Sequence, residues 1–367
     1  MKSVNPNATY REIRPPQKMA EWERKKPPAY WDYRKKWEEY PQRQILSEFP
    51  LHLDVETTNA CNLKCPMCPR TVLMGKKLFH KLQFMEFPFY RSLIDQGVDQ
   101  GLCSVKLNYL GEPLLHPDVV RQVKYAKDRG VMDVMFNTNG TLLTEELSRQ
   151  LLDAGLDKIF FSFDSHRKEE YEKIRPGANF EKTIEKIRTF VRIKNSNGYR
   201  GVEARVSMVL HKHEEEKFRA LTEMWEGTVD TIGFGYYVER DPDKSTAHKP
   251  VDGFVCAQPW QRMFILVDGV VTACCVDERR EYVLGDAAIE KLVDIWKGKQ
   301  AQALRKAHAG GHYDGIPICR KCYVPTSEEQ ERAGKYVNVK TIMKKHSGTQ
   351  RKTTKSLPLE GGGKGWG

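Results

Sequence analysis

Between residues 51 and 237 the sequence switches its hydrophobic period back and forth in a regular rhythm. Short runs rich in β-branched and aromatic residues stand at 51–56, 104–110, 133–139, 158–164, 203–209 and 231–237. Between them, near 84–97, 117–129, 144–154, 179–195 and 214–226, apolar residues recur three and four apart. A period of two marks a strand and a period of 3.6 a helix, so each strand is followed by a crossover helix and the strands run parallel. Six such units fall short of a closed eight-unit barrel. The expected fold is α/β: a partial (β/α)6 TIM-like barrel whose ligands gather at the carboxyl ends of its strands.

That barrel core occupies 49–245. Residues 1–48 precede it as an extension rich in Pro, Arg, Lys and aromatics, with little periodicity, expected to wrap onto the body. Past residue 250 the pattern changes. An apolar stretch at 264–275 is broken by Asp268-Gly269, a hairpin turn pair, and a helical segment follows at 289–298. With the Cys-x-x-Cys at 319–322 this makes a small C-terminal unit, 250–327, of β-hairpin plus helix. Residues 328–367 hold no core-forming pattern, end in GGGKGWG and read as a disordered basic tail.

The net charge of +11 raises the question of nucleic acid. Much of the excess sits in Lys340, Lys344, Lys345, Arg351, Lys352, Lys355 and Lys364 against Glu360, which reads as a solvated tail, so no nucleic-acid partner is expected. No run approaches the roughly 18 apolar residues of a membrane span, and the first residues lack the apolar core of a secretory signal. The expected compartment is the cytoplasm. There, nine clustered cysteines point to metal or redox chemistry rather than disulfides.

The first cluster is Cys61, Cys65 and Cys68, spaced C-x3-C-x2-C directly after the first strand. A loop this short can wrap three sulfurs around one face of a cubane cluster. No fourth local cysteine follows, so one iron would stay open to a chelating ligand such as the amino and carboxylate groups of S-adenosylmethionine (AdoMet). Structural zinc, held by these three and a remote fourth ligand, is the competing reading.

On these residues the chain resembles the radical AdoMet (radical SAM) superfamily, over roughly 50–325. The resemblance extends to Leu110-Gly111-Glu112-Pro113, which stands where the family has a Gly-Gly-Glu-Pro segment, with Leu110 in place of the first glycine. It implies that Gly111, Glu112 and Pro113 bind AdoMet, Glu112 as the carboxylate facing the ammonium. It also implies that Ser162, ending the fourth strand, contacts the ribose or carboxylate. Asp164 beside it is alternatively a helix cap. Arg205 on the fifth strand would point into the barrel towards the AdoMet carboxylate, a structural ion pair being the alternative. Met67 takes the place, before the third cysteine, where relatives often carry an aromatic residue against adenine.

The later cysteines look like a SPASM/Twitch-type auxiliary cluster domain. The resemblance implies that Cys256, Cys274, Cys319 and Cys322 ligate a second [4Fe-4S] cluster, with no open iron, that carries electrons. Cys275 competes with Cys274 as the ligand, and zinc again competes with iron–sulfur. If Cys275 is left over, it is a candidate hydrogen-atom donor, with a packed residue as the alternative. Cys103 reads as a buried, inert thiol.

The implied activity is that of a radical SAM oxidoreductase. AdoMet is cleaved reductively to a 5′-deoxyadenosyl radical, which takes hydrogen from a small sugar- or aminocyclitol-like metabolite, giving oxidation or epimerisation. Flavodoxin or ferredoxin would supply the electron. A maturase acting on a ribosomally made precursor peptide ranks second, because residues 1–45 are too short for a leader-binding module. A non-catalytic zinc protein contacting nucleic acid is the remote third.

Overall fold

The computed structural model describes residues 11–13, 25–79, 81–211, 214–239, 241, 244 and 250–326. The expectation for 328–367 lies outside them. The described strands, in chain order, are β1 (Arg11–Ile13), β2 (His52–Val55), β3 (Ser104–Lys106), β4 (Asp133–Thr138), β5 (Lys158–Ser162), β6 (Glu203–Leu210), β7 (Thr231–Tyr236), β8 (Arg262–Ile265), β9 (Val270–Thr272) and β10 (Val283–Asp286). They form one ten-stranded sheet in the order β1-β7-β6-β5-β4-β3-β2-β8-β9-β10.

Strands β2 to β7 run parallel, each joined to the next by helices at Phe87–Val98, Val119–Asp128, Glu145–Asp153, Phe180–Ser196 and Glu215–Trp225, which is the expected partial barrel. The region after residue 250 does not stand apart from it. Strand β8 pairs parallel with β2, Leu53 opposite Met263, and β9 and β10 continue the sheet antiparallel. At the other edge β1 pairs antiparallel with β7.

Successive strand residues face opposite sides of a sheet. One side carries Leu53, Val105, Val134, Ile159, Val206 and Ile232, which meet Tyr90, Val123, Leu151, Phe190 and Leu221 of the crossover helices in a single core. The side turned away from the helices is polar. It carries His52, Asp54, Ser104, Lys106, Asp133, Lys158, Glu203 and Arg205, brought into register by the parallel ladder. Most of these charged residues are paired with one another. Lys158 Nζ donates to Asp133 Oδ2 at 2.6 Å and to Tyr30 Oη at 3.2 Å, and Thr231 Oγ1 donates to Glu203 Oε1 at 2.7 Å.

Tyr30 belongs to a helix within the stretch expected to be an extension of little periodicity. Residues Pro28–Arg43 form a helix with Tyr30, Tyr33, Trp37 and Pro41 buried, a helical spacing hidden by the charged residues between them. The aromatic set stacks edge to face, and Trp37 meets His52 with ring centroids 5.8 Å apart. This helix therefore closes the amino end of the barrel, and Gln261 Nε2 ties it to the auxiliary region through Trp37 O at 2.8 Å.

At the carboxyl end of β2, Glu56 is 2 % exposed and bridges two loops, accepting from Leu110 N and from Val267 N, each at 3.2 Å. Burial pushes its carboxyl up to about 7 from an ordinary 4.5, against those two donors. The folded state therefore holds this proton more tightly than the unfolded chain. The resulting stability is complete below the ordinary value of 4.5 and is lost as pH climbs through about 7. Urea unfolding from pH 5 to 8 should show wild type losing about 2 kcal/mol relative to Glu56→Gln. Parallel curves for the two proteins would refute this.

Candidate functional site

Every strand of the barrel ends towards the same mouth, and the first cysteine loop follows β2 there. Thr58, Asn59 and Ala60 lead into it, fixed by a dense set of local bonds. Thr58 Oγ1 donates to Gln83 O at 2.8 Å and accepts from Ala60 N at 3.0 Å, while Arg70 Nε donates to Asn59 O at 2.8 Å. Cys61, Cys65 and Cys68 are each half-buried and free. Cys68 N bonds Cys65 O at 3.0 Å, and Cys68 precedes a short helix, Pro69–Gly75.

The Gly-Glu-Pro segment is locked against this loop. Glu112 N donates to Ala60 O at 2.8 Å. A Cβ on Gly111 would stand 2.0 Å from Thr58 O, so only glycine lets the segment approach this closely. Glu112 is buried and spends its oxygens on the protein. Oε1 accepts from Leu114 N at 3.1 Å and from Thr138 Oγ1 at 2.7 Å, and Oε2 accepts from Asn139 N at 2.7 Å. It thereby joins the ends of β3 and β4, with Pro113 opening the short 3-10 turn Pro113–Leu115.

Two polar side chains approach the cysteine sulfurs from elsewhere in the barrel, one after β4 and one at the end of the helix Lys168–Ile174. Asn139, after β4, donates to Asn62 Oδ1 at 2.9 Å, with its Nδ2 4.0 Å from Cys61 Sγ. The buried Arg175 places a guanidinium nitrogen 4.0 Å from Cys65 Sγ and donates to Asp164 Oδ2 at 2.5 Å. Asp164 is therefore no helix cap. Its other oxygen accepts from Val209 N at 2.8 Å, and Arg167 holds the N-cap position of the helix Lys168–Ile174. Ser162 pairs in register with Ser207, and Arg205 Nε donates to Ser207 Oγ at 3.1 Å while its guanidinium lies 3.4 Å from the centroid of Phe160. Met67 sits half-buried in the cysteine turn.

The second set converges more visibly. Cys256, Cys274, Cys319 and Cys322 line a single, mostly apolar cavity, together with His308 and Tyr313. Cys275 is not part of that lining: Gln258, which is, donates through Nε2 to its Sγ at 3.3 Å, and its backbone N donates to Gln258 Oε1 at 3.4 Å. Cys275 acts electrostatically on Lys106 and Tyr109 and also on Cys256 and Cys274. His308 was not singled out in the sequence. It stacks on Tyr313, accepts from Cys256 N through Nδ1 at 3.4 Å, and presents Nε2 3.5 Å from Cys319 Sγ. With Nδ1 accepting, the neutral ring carries its proton on Nε2, a hydrogen-bond donor to a thiolate.

Burial pushes the Cys65 thiol up to about 11 and the Cys256 thiol up to about 12, so deprotonation in these sites calls for a cation in contact. Among the described residues no three His, Cys, Asp or Glu side chains converge on a single ion position. Cubane ligands each take a different iron and need no such convergence. Both donor sets fit iron–sulfur clusters on these grounds: a three-thiolate loop beside a cradle that a Cβ would fill, and four thiolates around one cavity.

Comparison with known proteins agrees with this chemistry. The sequence profile of the radical SAM superfamily matches residues 55–224, and that of the SPASM iron–sulfur cluster-binding domain matches 256–323. A probable GTP 3′,8-cyclase of Methanococcus maripaludis is 35% identical over 132 residues, 35% of this chain and 42% of that protein. The tungsten-containing aldehyde ferredoxin oxidoreductase cofactor-modifying protein of Pyrococcus furiosus is 31% identical over 116 residues, 31% of this chain and 30% of that one. The matched segment thus spans well under half the length of these curated relatives. Among solved structures, Streptococcus suis SuiB bound to precursor peptide SuiA has a TM-score of 0.57 at 16% identity, covering 80% of this chain and 76% of that one. Native anSMEcpe with bound AdoMet has a TM-score of 0.53 at 16% identity, covering 71% and 84%. Both likenesses concern the fold. The family carries a [4Fe-4S] cluster and AdoMet in the first domain and iron–sulfur in the second, the groups the two cysteine sets accommodate. The chain belongs to the radical SAM superfamily and joins to that domain a C-terminal SPASM domain.

Proposed function

We propose that this enzyme is an oxidoreductase that removes hydrogen from a small metabolite, oxidising or epimerising it. The observation that carries this reading is the split of the adjacent pair Cys274 and Cys275. The first lines the cavity with Cys256, Cys319 and Cys322, and the second lies outside that lining, held by Gln258. On this reading Cys61, Cys65 and Cys68 hold the first cluster and the four cavity cysteines hold the auxiliary one. When bound, these groups supply a 5′-deoxyadenosyl radical at the mouth and an electron acceptor behind the substrate.

The chain's own residues orient and enclose. Gly111, Glu112 and Pro113 fix the loop that receives AdoMet, with Ser162, Arg205 and Met67 completing its surroundings. Arg175 and Asn139 set positive and hydrogen-bonding character beside Cys65 and Cys61. Gln258 aims Cys275, whose S–H is available to return a hydrogen atom in an epimerisation. In an oxidation the substrate instead gives up a hydrogen atom, then one electron and one proton. A flavodoxin or ferredoxin is the reductant in this scheme.

The 132-residue match to GTP 3′,8-cyclases is shorter than the stretch separating Cys68 from Cys256, so it cannot include both cysteine sets and does not carry a cyclase substrate here. A peptide substrate is the alternative outcome of a substrate screen.

Iron analysis after anaerobic reconstitution tests the assignment. Wild type should hold about eight iron and eight sulfide per chain, the content of two cubanes. Cys319→Ala should fall to about half while still cleaving AdoMet under dithionite, and Cys275→Ala should keep the full content. Loss of iron from Cys275→Ala, or zinc without sulfide in wild type, would sink the assignment.

A further inference from the structure

Around Lys106 the polar face of the barrel holds more cationic than acidic side chains, Arg205 and Arg262 against Asp54. Lys106 projects from β3 into the lumen, half-buried, with no hydrogen bond or ion pair among the described residues. Asp54, opposite Lys106 in the register, divides its charge between Lys106 and other neighbours, and the remaining acids of that face bond elsewhere. Asp54 faces His52 at 3.3 Å and Arg262 at 3.5 Å, Asp133 is taken by Lys158, and Glu203 accepts from Thr231. The fields that reach Lys106 come from Asp54, Arg262, Arg205 and Cys275, so two of its charged neighbours are themselves cationic.

A second donor shares this space. The hydroxyl of Tyr109, on the loop after β3, is buried without a hydrogen-bond partner. Its ring packs towards Phe264 of β8, centroids 6.2 Å apart, and the groups whose fields reach it are Glu278, Cys274, Cys275 and Glu56. Lys106 and Tyr109 thus flank the neighbouring Asp54 and Phe264 of the lumen, and the Tyr109 hydroxyl is a donor lacking an acceptor. A buried unmatched donor carries a desolvation cost that a ligand oxygen relieves.

Resting on the proposed function, we infer that Lys106 and Tyr109 form the anchor for an acidic group of the substrate, a carboxylate or a phosphate, which seats the remaining carbon skeleton between Cys275 and the AdoMet loop. This departs from the neutral or amine-bearing metabolite suggested by the sequence. Burial draws the Lys106 ammonium below the ordinary lysine range, so an anion beside it restores stabilisation that the lumen withholds. Burial also raises the Tyr109 phenol well above its ordinary value, which keeps it a donor.

Calorimetric titration of the reconstituted enzyme with ribose 5-phosphate, gluconate and ribose tests the anchor. At least one acid should bind ten-fold or more tightly than ribose. Preference for the phosphate alone or for gluconate alone then assigns the acid class. Lys106→Met and Tyr109→Phe should each remove the preference, and Lys106→Arg should retain it. Iron content and near-ultraviolet circular dichroism matching wild type exclude misfolding. Equal or absent binding of all three compounds, or a preference that survives Lys106→Met, overturns the proposal. Iron content and 5′-deoxyadenosine formation in the same preparation report separately on whether the radical SAM reading holds.

Discussion

Alanine at position 111 will slow AdoMet cleavage about 100-fold or more, although the change adds one methyl group. The added carbon would lie 2.0 Å from Thr58 O and 2.8 Å from Ala60 O. Neither carbonyl can retreat cheaply. Ala60 O already accepts from Glu112 N, and the Thr58 side chain bonds Gln83 O and Ala60 N. The segment carrying Glu112 must move outward instead, taking with it the carboxylate that joins Thr138 and Asn139, or the residues leading into Cys61 must shift. Either movement displaces the AdoMet cradle relative to the three sulfurs by a distance on the scale that costs reactions their geometry. Overpacking of this kind also costs roughly 3 kcal/mol of stability. Gly75 provides the control, since a Cβ there meets nothing within 4 Å. Chromatographic measurement of 5′-deoxyadenosine should separate the two variants widely. A Gly111→Ala enzyme keeping more than half the wild-type rate would show that the close approach is not needed.

The barrel was legible because its helix-facing strand residues and crossover helices share one apolar core, which leaves a strong alternation of periods in the sequence. Boundaries slipped where the chain leaves the sheet for functional reasons. The run at 104–110 reads as one strand, yet β3 ends at Lys106 because Asn108 turns aside to accept from Asn137 N at 2.8 Å and the chain then bends towards Gly111. The helix Pro28–Arg43 was missed because its buried face consists of Tyr30, Tyr33 and Trp37 among charged residues, with Pro41 inside it. The helix Lys299–Gly310 was missed because its buried positions are Ala301, Leu304, Arg305 and His308, a weak apolar signal.

The cysteine sets were legible from spacing, because a loop of fixed length limits which sulfurs can share a cluster. Their neighbours were not. Gln258 meets Cys275 across 17 positions, His308 meets Cys256 across 52, and Arg175 meets Cys65 across 110. Contacts that distant follow from strand order and leave no local pattern. The lumen charges have the same origin. Lys106, Asp133, Lys158 and Arg205 each look like an isolated interruption of an apolar run, and only the parallel register reveals one polar face.

Removing the Arg175 guanidinium should destabilise the protein by about 3–5 kcal/mol, the cost of leaving one partner of a buried ion pair alone. Asp164 and Arg175 meet at 2.5 Å with side chains 2% and 9% exposed. In Arg175→Met, Asp164 keeps its bond from Val209 N but loses its counter-charge. The Cys65 thiolate loses the positive group 4.0 Å away, so iron retention at the first site should fall as well. Asp164→Asn should destabilise through the opposite imbalance, leaving the guanidinium uncompensated. The double variant Asp164→Asn, Arg175→Met discriminates the cause, because two groups that stabilise each other lose that interaction only once. Urea unfolding under strict anaerobiosis should therefore show the double variant losing at least about 1 kcal/mol less than the sum of the single losses. Simple additivity would mean that Arg175 is held by packing, and that its position beside Cys65 owes nothing to Asp164.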